Sequence, residues 1–171
     1  MSDLRNPGDA WVVAADGSRY WGRFGAAGLL AHDPTRGILL QHRVSWSDHG
    51  GTWGIPGGAR HEHETATDAA IRESHEEAGV PFGAVAPRFS YVIDRGGWSY
   101  TTIIADVTSP FEPEITDAES HALEWVAVDR VEHYELHPGF AASWPLLLPI
   151  LSEDRAAIDR LLAEGHIAKL S

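Results

Sequence analysis

The sequence predicts an α+β fold in which helices pack against a mixed β-sheet. Three observations carry this expectation. Short apolar runs bounded by turn residues recur along most of the chain, the mark of strands. One stretch, residues 65–78, breaks that rhythm with helical spacing and a cap signal at each end. Several strand-to-strand connections are hairpin-short, whereas parallel strands need long crossovers, so a purely parallel α/β sheet is disfavoured.

The elements follow in order. Trp11-Val12-Val13 and Arg19-Tyr20-Trp21 flank Asp16-Gly17, a hairpin signal. Ala26 to His32 and Gly37 to Gln41 are apolar runs joined by Asp33-Pro34-Thr35-Arg36-Gly37, so two buried strands and a turn. Residues 45–58 are rich in Gly, Ser, Trp and Pro and read as a loop. The helix over 65–78 takes Thr65 as N-cap, with Asp68 at the third helical position, and Gly79 followed by Pro81 stops it. Phe89 to Ile93 and Tyr100 to Val107 are strands around the turn Asp94-Arg95-Gly96-Gly97, and Ala122 to Val128 is another. Leu136-His137-Pro138-Gly139-Phe140 is a structural turn, with Pro138 suited to a helix start. Helices over Phe140–Leu151 and Asp154–Glu164 close the chain.

Composition narrows the function classes. The 171 residues are 43% apolar and carry a formal net charge of −12, which suits one folded domain spanning residues 1–171 and opposes broad nucleic-acid binding. Phosphates remain accessible to such a protein when metal ions stand between. There is no cysteine, so thiolate nucleophiles and Cys-ligated metal centres are excluded. Residues 1–9 lack the apolar run of a secretory signal. The greasiest segment, Pro145 to Leu151, is too short to cross a bilayer. A cytoplasmic, membrane-free protein is expected. Most of the seven tryptophans are expected in the core or lining a cleft. Any that form an exposed patch offer a homodimer interface.

The chemistry concentrates in the predicted helix. Glu73, Glu76 and Glu77 stand at i, i+3 and i+4, so the spacing sets their carboxylates along one face. Like charges so placed oppose helix formation by roughly 0.2–0.5 kcal/mol per pair. Such a turn is either a solvated acidic face or half of a site that a cation completes. An all-oxygen donor set suits hard Mg²⁺ or Mn²⁺ better than zinc. Gly54-Ile55-Pro56-Gly57-Gly58, just upstream, allows close backbone approach to a ligand. Arg72 and Glu64 flank the helix start and can pair. His61 and His63 alternate in the preceding loop and read as solvated, and His75 lies on the helix itself.

The full spacing is Gly58, five residues, Glu64, seven residues, Arg72-Glu73, Glu76-Glu77 and Gly79-Val80. It resembles the Nudix box, G-x5-E-x7-R-E-U-x-E-E-x-G-U, at all seven fixed positions. Ser74 departs from the pattern, which prefers an aliphatic residue there. Trp53-Gly54-Ile55-Pro56-Gly57-Gly58 and a later Glu119 ahead of Trp125 extend the likeness.

The resemblance implies a Nudix α/β/α sandwich with a short N-terminal hairpin extension and C-terminal helices. It implies Mg²⁺- or Mn²⁺-dependent cleavage of a nucleoside diphosphate linked to another group, X. Carried over by position, Glu73, Glu76, Glu77 and the Gly57 carbonyl would ligate metal, and Glu64 with Arg72 would form an orienting pair. Glu119 would complete the metal site or act as base, with Glu112, Glu114 and Glu124 as competitors. Glu77 and Glu119 stay equal candidates for the base, and Glu76 stands with them in the catalytic set. The subgroup markers of ADP-ribose, dinucleoside polyphosphate, NADH and coenzyme A hydrolases are not at their usual positions. The default is a (deoxy)nucleoside triphosphate pyrophosphohydrolase of house-cleaning type. ADP-ribose, nucleotide-sugar or dinucleoside polyphosphate hydrolysis and a non-catalytic nucleotide sensor stay as alternatives. Arg43 for phosphates, and Trp46, Trp53, Trp98 and Tyr100 for stacking on a base, are the candidate substrate contacts.

Overall fold

The computed structural model describes residues 8–171, so the reading of the N-terminus as free of a signal lies mostly outside the described residues. The chain runs β1 (Trp11–Val13), β2 (Arg19–Trp21), β3 (Ala26–Asp33), β4 (Gly37–Arg43), β5 (Trp53–Gly54), β6 (Gly57–Ala59), α1 (Ala66–Ala78), β7 (Val85–Asp94), β8 (Ser99–Val107) and β9 (Ser120–Val126). A 3₁₀ turn over Val128–His133, α2 (Pro138–Leu151), α3 (Arg155–Ala163) and β10 (Ile167–Lys169) follow. β1 and β2 form the expected hairpin. The other eight strands make one sheet, ordered β10-β7-β8-β3-β4-β5, with β6 also on β3 and β9 on β4. β3 and β8 run parallel over seven residue pairs and their neighbours are antiparallel, so the sheet is mixed.

Period-two patterning decides what each face covers. Ala27, Leu29 and Ala31 of β3 and Ile103 and Ala105 of β8 pack beneath Ala69, Ala70 and Ala78 of α1. The opposite residues, Leu30, Ile38, Leu40 and Ile104, meet Phe140, Trp144, Leu147 and Ile150 of α2 and Ile158 and Leu161 of α3. The result is the expected α/β/α sandwich.

α1 has the ends its sequence announces. Thr65 Oγ1 accepts from the Asp68 amide at 3.1 Å, and Gly79 takes the left-handed conformation, φ 64°, that a side chain resists. Ser74, the departure from the aliphatic pattern, is fully buried and satisfies itself by donating to the Ile71 carbonyl at 3.0 Å.

Residues 45–58 are not wholly loop. β3 and β4 pair only at His32↔Ile38 and Asp33↔Gly37, then diverge. Into this fork fit β5, which pairs with the end of β4, and β6, which pairs with the start of β3. The glycines that suggest a loop are what allow this ladder. A Cβ on Gly57 would lie 2.5 Å from the Ala27 carbonyl oxygen and 2.7 Å from the Gly28 Cα. Two other elements go beyond the sequence reading. The strand at Phe89–Ile93 extends to Val85–Asp94, and β10 pairs with it at Ile167↔Tyr91.

Four of the seven tryptophans fit the expectation and three do not. Trp144 is core and Trp53, Trp98 and Trp125 are half-buried, but Trp11, Trp21 and Trp46 are exposed, Trp46 at 70%. Among the described residues, no helix is long and apolar enough to cross a membrane.

Candidate active site at the fork of the sheet

The fork matters because α1 lays its carboxylates across it. Glu77 is buried at 3% exposure, and its Oε2 accepts from the Gly57 amide of β6 at 3.1 Å and from Gln41 Nε2 of β4 at 3.3 Å. One carboxylate thus ties both arms of the fork to α1. Glu73 lies against Gly58, where a Cβ would come within 2.6 Å of its carboxyl carbon. Only glycine leaves room for that carboxylate on the strand.

Arg72 organises the outer half of the site. Its Nε and Nη2 each donate to a Glu64 oxygen at 2.9 Å, Nη2 also reaches the Ala59 carbonyl at 3.0 Å, and Nη1 reaches Glu73 at 2.9 Å and Glu76 at 3.4 Å. The Glu64–Arg72 pair is therefore formed. It is a two-pronged clamp that holds the loop before α1 to the helix. The bond from Arg72 holds the Glu64 carboxyl below its usual range, outweighing the effect of partial burial.

A loop on the far side supplies the remaining carboxylates. Glu77, Asp117 and Glu119 bring one ligand oxygen each within 4.8 Å of one another. Glu119 is thus placed beside Glu77, whereas Glu112 pairs with Arg36 at 2.7 Å and Glu124 accepts from the Tyr134 hydroxyl at 2.8 Å. Asp117 is the residue the sequence reading missed. Its signal was its place two residues before Glu119 in one acidic turn, where its Oδ1 also accepts the Glu119 amide at 3.0 Å. The loop is latched to the C-terminal turn of α1 by the Glu114 amide on the Ala78 carbonyl, 2.9 Å, and by Thr116 Oγ1 on the Glu76 carbonyl.

Burial, reinforced by the crowding of acids, dominates the electrostatics. Burial pushes Glu73 up to about 7 although Arg72 pulls the other way. Burial, then the Glu73 and Glu119 charges, raises Glu77 well above the carboxylate range. Among the described residues no ion pair reaches Glu77, Asp117 or Glu119, and Arg72 is already shared among Glu64, Glu73 and Glu76. Three convergent carboxylates with no sulfur and no imidazole form an oxygen-only donor set, which fits Mg²⁺ or Mn²⁺.

The substrate candidates scatter. Trp98 does not turn toward the carboxylates. It stacks on Tyr20 at 4.2 Å and donates Nε1–H to the Trp21 carbonyl at 3.2 Å, so it fastens the N-terminal hairpin. Trp53 has one face covered by His42, 4.5 Å away and parallel, and its edge against Tyr134. Tyr100 lays its hydroxyl over Gly28 beside Gly57, and burial with the nearby Glu77 raises its pKa. Arg43 donates Nε–H to the Asp48 carbonyl at 2.9 Å. Trp46 stands on the same loop, whose Val44 amide donates to the Glu119 carbonyl at 3.2 Å, so this loop borders the site. Gly57 meets Glu77 through its amide.

A second group, Asp48, His49 and His137, also brings ligand atoms within 4.8 Å. His137 Nδ1 is already accepting from the Gly139 amide at 3.0 Å as the cap of α2. Burial, with Arg43 and His49 beside it, holds its pKa down to about 4. A helix N-terminus and an arginine both repel a cation, so this cluster is a poor metal site.

A mixed sheet sandwiched by helices, with an oxygen-only acidic cluster at its fork and a clamped Glu–Arg pair beside it, suits an enzyme that works on phosphates through a divalent cation. The chain belongs to the Nudix hydrolase family: residues 22–147 match the NUDIX domain. It is 47% identical over 154 residues to "Putative 8-oxo-dGTP diphosphatase 3" of Mycobacterium tuberculosis, covering 84% of this chain and 70% of that one. It is 38% identical over 161 residues to a nucleoside triphosphate pyrophosphatase/Nudix hydrolase fusion protein of Bifidobacterium longum; the match covers 90% of this chain but only 33% of that protein. Among solved structures, the Nudix hydrolase RenU of M. smegmatis superposes with a TM-score of 0.76 at 46% identity, covering 85% of this chain and 96% of that one.

Proposed function

We propose that the protein is a divalent-cation-dependent pyrophosphohydrolase of nucleoside triphosphates, with oxidised guanine nucleotides as the first substrate class to test. The observation that supports it most is the convergence of Glu77, Asp117 and Glu119 at the fork. The name of the M. tuberculosis relative points toward the nucleotide.

Glu73, Glu76, Glu77, Glu119 and Asp117, with the Gly57 carbonyl, would hold Mg²⁺ or Mn²⁺. When bound, the ions would offset the phosphate charge and make water a better nucleophile. The protein's own part is positional. Glu77, with one oxygen fixed by Gly57 and Gln41, acts as an immobile ligand. Glu119, exposed on its loop beside Glu77, can reach an attacking water from the solvent side, so of the two candidate bases it is the better placed. Arg72 orients Glu73 and Glu76 by pairing with both. Arg43 and Trp46, on the bordering loop, are the remaining candidates for phosphate and base contacts.

The test is hydrolysis of nucleoside triphosphates, 8-oxo-dGTP, ADP-ribose and dinucleoside polyphosphates with Mg²⁺ or Mn²⁺. The expected result is release of pyrophosphate and a nucleoside monophosphate, abolished by EDTA. Tight binding of a nucleotide without turnover would instead establish a sensor.

A further inference from the structure

Gln41 is an unexpected residue for its place. It is 2% exposed and follows Ile38, Leu39 and Leu40, all buried, in the middle of the sheet. A buried carboxamide costs stability unless its polar atoms are paired. Its Nε2 donates in two directions, to Ser120 Oγ at 2.7 Å and to Glu77 Oε2 at 3.3 Å. Ser120 Oγ in turn donates to the Glu77 carbonyl at 3.3 Å. Gln41 and Ser120, from the adjacent strands β4 and β9, therefore hold Glu77 by both side chain and backbone. With the Gly57 amide, two N–H groups converge on Oε2, while Glu119 faces the same carboxyl group from the loop.

We infer that Gln41 is a positioning residue: through Glu77 it fixes which carboxylate oxygen faces the cation and which faces the sheet. This rests on the metal-dependent reading above. A methionine at this place would fill similar space and donate nothing, so what the carboxamide adds is its pair of bonds, one to Glu77 directly and one to Ser120, which itself holds the Glu77 backbone. Groups that orient a metal ligand from behind alter metal affinity or activity by about 10- to 100-fold when removed.

The experiment is a set of double-variant cycles read by Mn²⁺ binding in the absence of nucleotide, using the electron paramagnetic resonance of free Mn²⁺. Gln41→Met is expected to weaken Mn²⁺ binding by about 10- to 100-fold. The same change should keep its effect in a Glu73→Gln background and lose it in a Glu77→Gln background, because coupling appears only between residues that act through each other. In turnover assays Gln41→Met should lower kcat and leave the KM for nucleotide near its original value. Ser120→Ala, a milder removal of the second anchor, should give a smaller loss with the same dependence on Glu77 and serves if Gln41→Met does not fold. An effect of equal size in both glutamine backgrounds, or a lowered Tm with unchanged Mn²⁺ affinity, overturns the role. Absence of hydrolysis on every nucleotide, with the Mn²⁺ cycles as expected, would sink the hydrolase reading and leave the role of Gln41 standing. Absence of Mn²⁺ binding by the unaltered protein would sink both.

Discussion

Helix α1 and the loop over residues 108–119 deliver carboxylates to the same point, yet they are held there by different means. α1 is capped at both ends, buries Ala69, Ala70 and Ala78 on the sheet, and presents Glu73, Glu76 and Glu77 by its own periodicity. The loop has no repeating backbone pattern and takes its shape from what it leans on. Arg36 donates to the Phe111 carbonyl and to Glu112 while lying over the Trp125 ring at 4.2 Å, and further latches are the carbonyls of Glu76 and Ala78 on α1, the Ala84 carbonyl and the Val44 amide. Half of the site is thus set by local sequence and the other half by borrowed rigidity. The helix is the template on which the loop is cast.

The sharpest way to break this comparison is to remove one carboxylate from each half. Glu77→Gln and Glu119→Gln should each reduce kcat by about 10²–10⁴-fold, measured by pyrophosphate release. Should Glu119→Gln stay within twofold, the loop would be a bystander. Next in size, Arg72→Met leaves Glu64 without its two-pronged partner and should lower unfolding free energy by about 2 kcal/mol, read by urea denaturation. Arg36→Ala probes the borrowed half alone. It should cut kcat by about tenfold through a displaced Glu119, in line with the cost of losing an outer support, with a smaller change in Tm than Arg72→Met. An unchanged kcat would show that the latches on α1 suffice.

The smallest effect is a pH dependence. With EDTA present, the raised pKa values of Glu73, about 7 against an ordinary 4.5, and of Glu77 mean that the native state holds more protons than the unfolded chain. The Glu73 contribution is complete below pH 4.5 and is lost as pH rises through about 7, and that of Glu77 has the same sign. His137, held down to about 4 against an ordinary 6.5, acts in the opposite sense between those two values. The clear window therefore lies from about pH 6.5 upward, where Tm should fall by a few degrees toward pH 8. Mg²⁺ or Mn²⁺ should remove that fall by favouring the ionised carboxylates. A Tm that rises across this window in EDTA would show that the acids are not crowded in solution.

What the sequence made legible follows the same division. Thr65, Gly79 and the glutamates between them are local signals, and the helix they announce is the helix present. The strands at Ala26–Asp33, Gly37–Arg43 and Ser99–Val107 show as apolar runs because both faces of the sheet are covered. β5, β6 and β10 are two or three residues long, and each exists only because a distant strand is there to pair. Gly57 and Gly58 carry the composition of a loop, since the reason for their smallness, Gly28 and Glu73, is far away in sequence. Asp117 was overlooked for the same reason. Its neighbour Glu77 is brought to it by the fold, and the spacing from the box contains no trace of that approach. Trp98 shows the converse, since a residue whose type suits stacking on a base is stacked on Tyr20.

The fork in the sheet has a kinetic consequence. β3 and β4 meet at only two residue pairs beside their turn, and everything that fills the gap comes from far along the chain: Gly57 against Gly28, Glu77 against Gln41, Ser120 against both. Contacts of such long sequence separation are the costliest to close and form late in folding. The catalytic centre is then among the last parts to assemble. A cation that recognises it would leave the folding rate nearly untouched and act as a brake on unfolding.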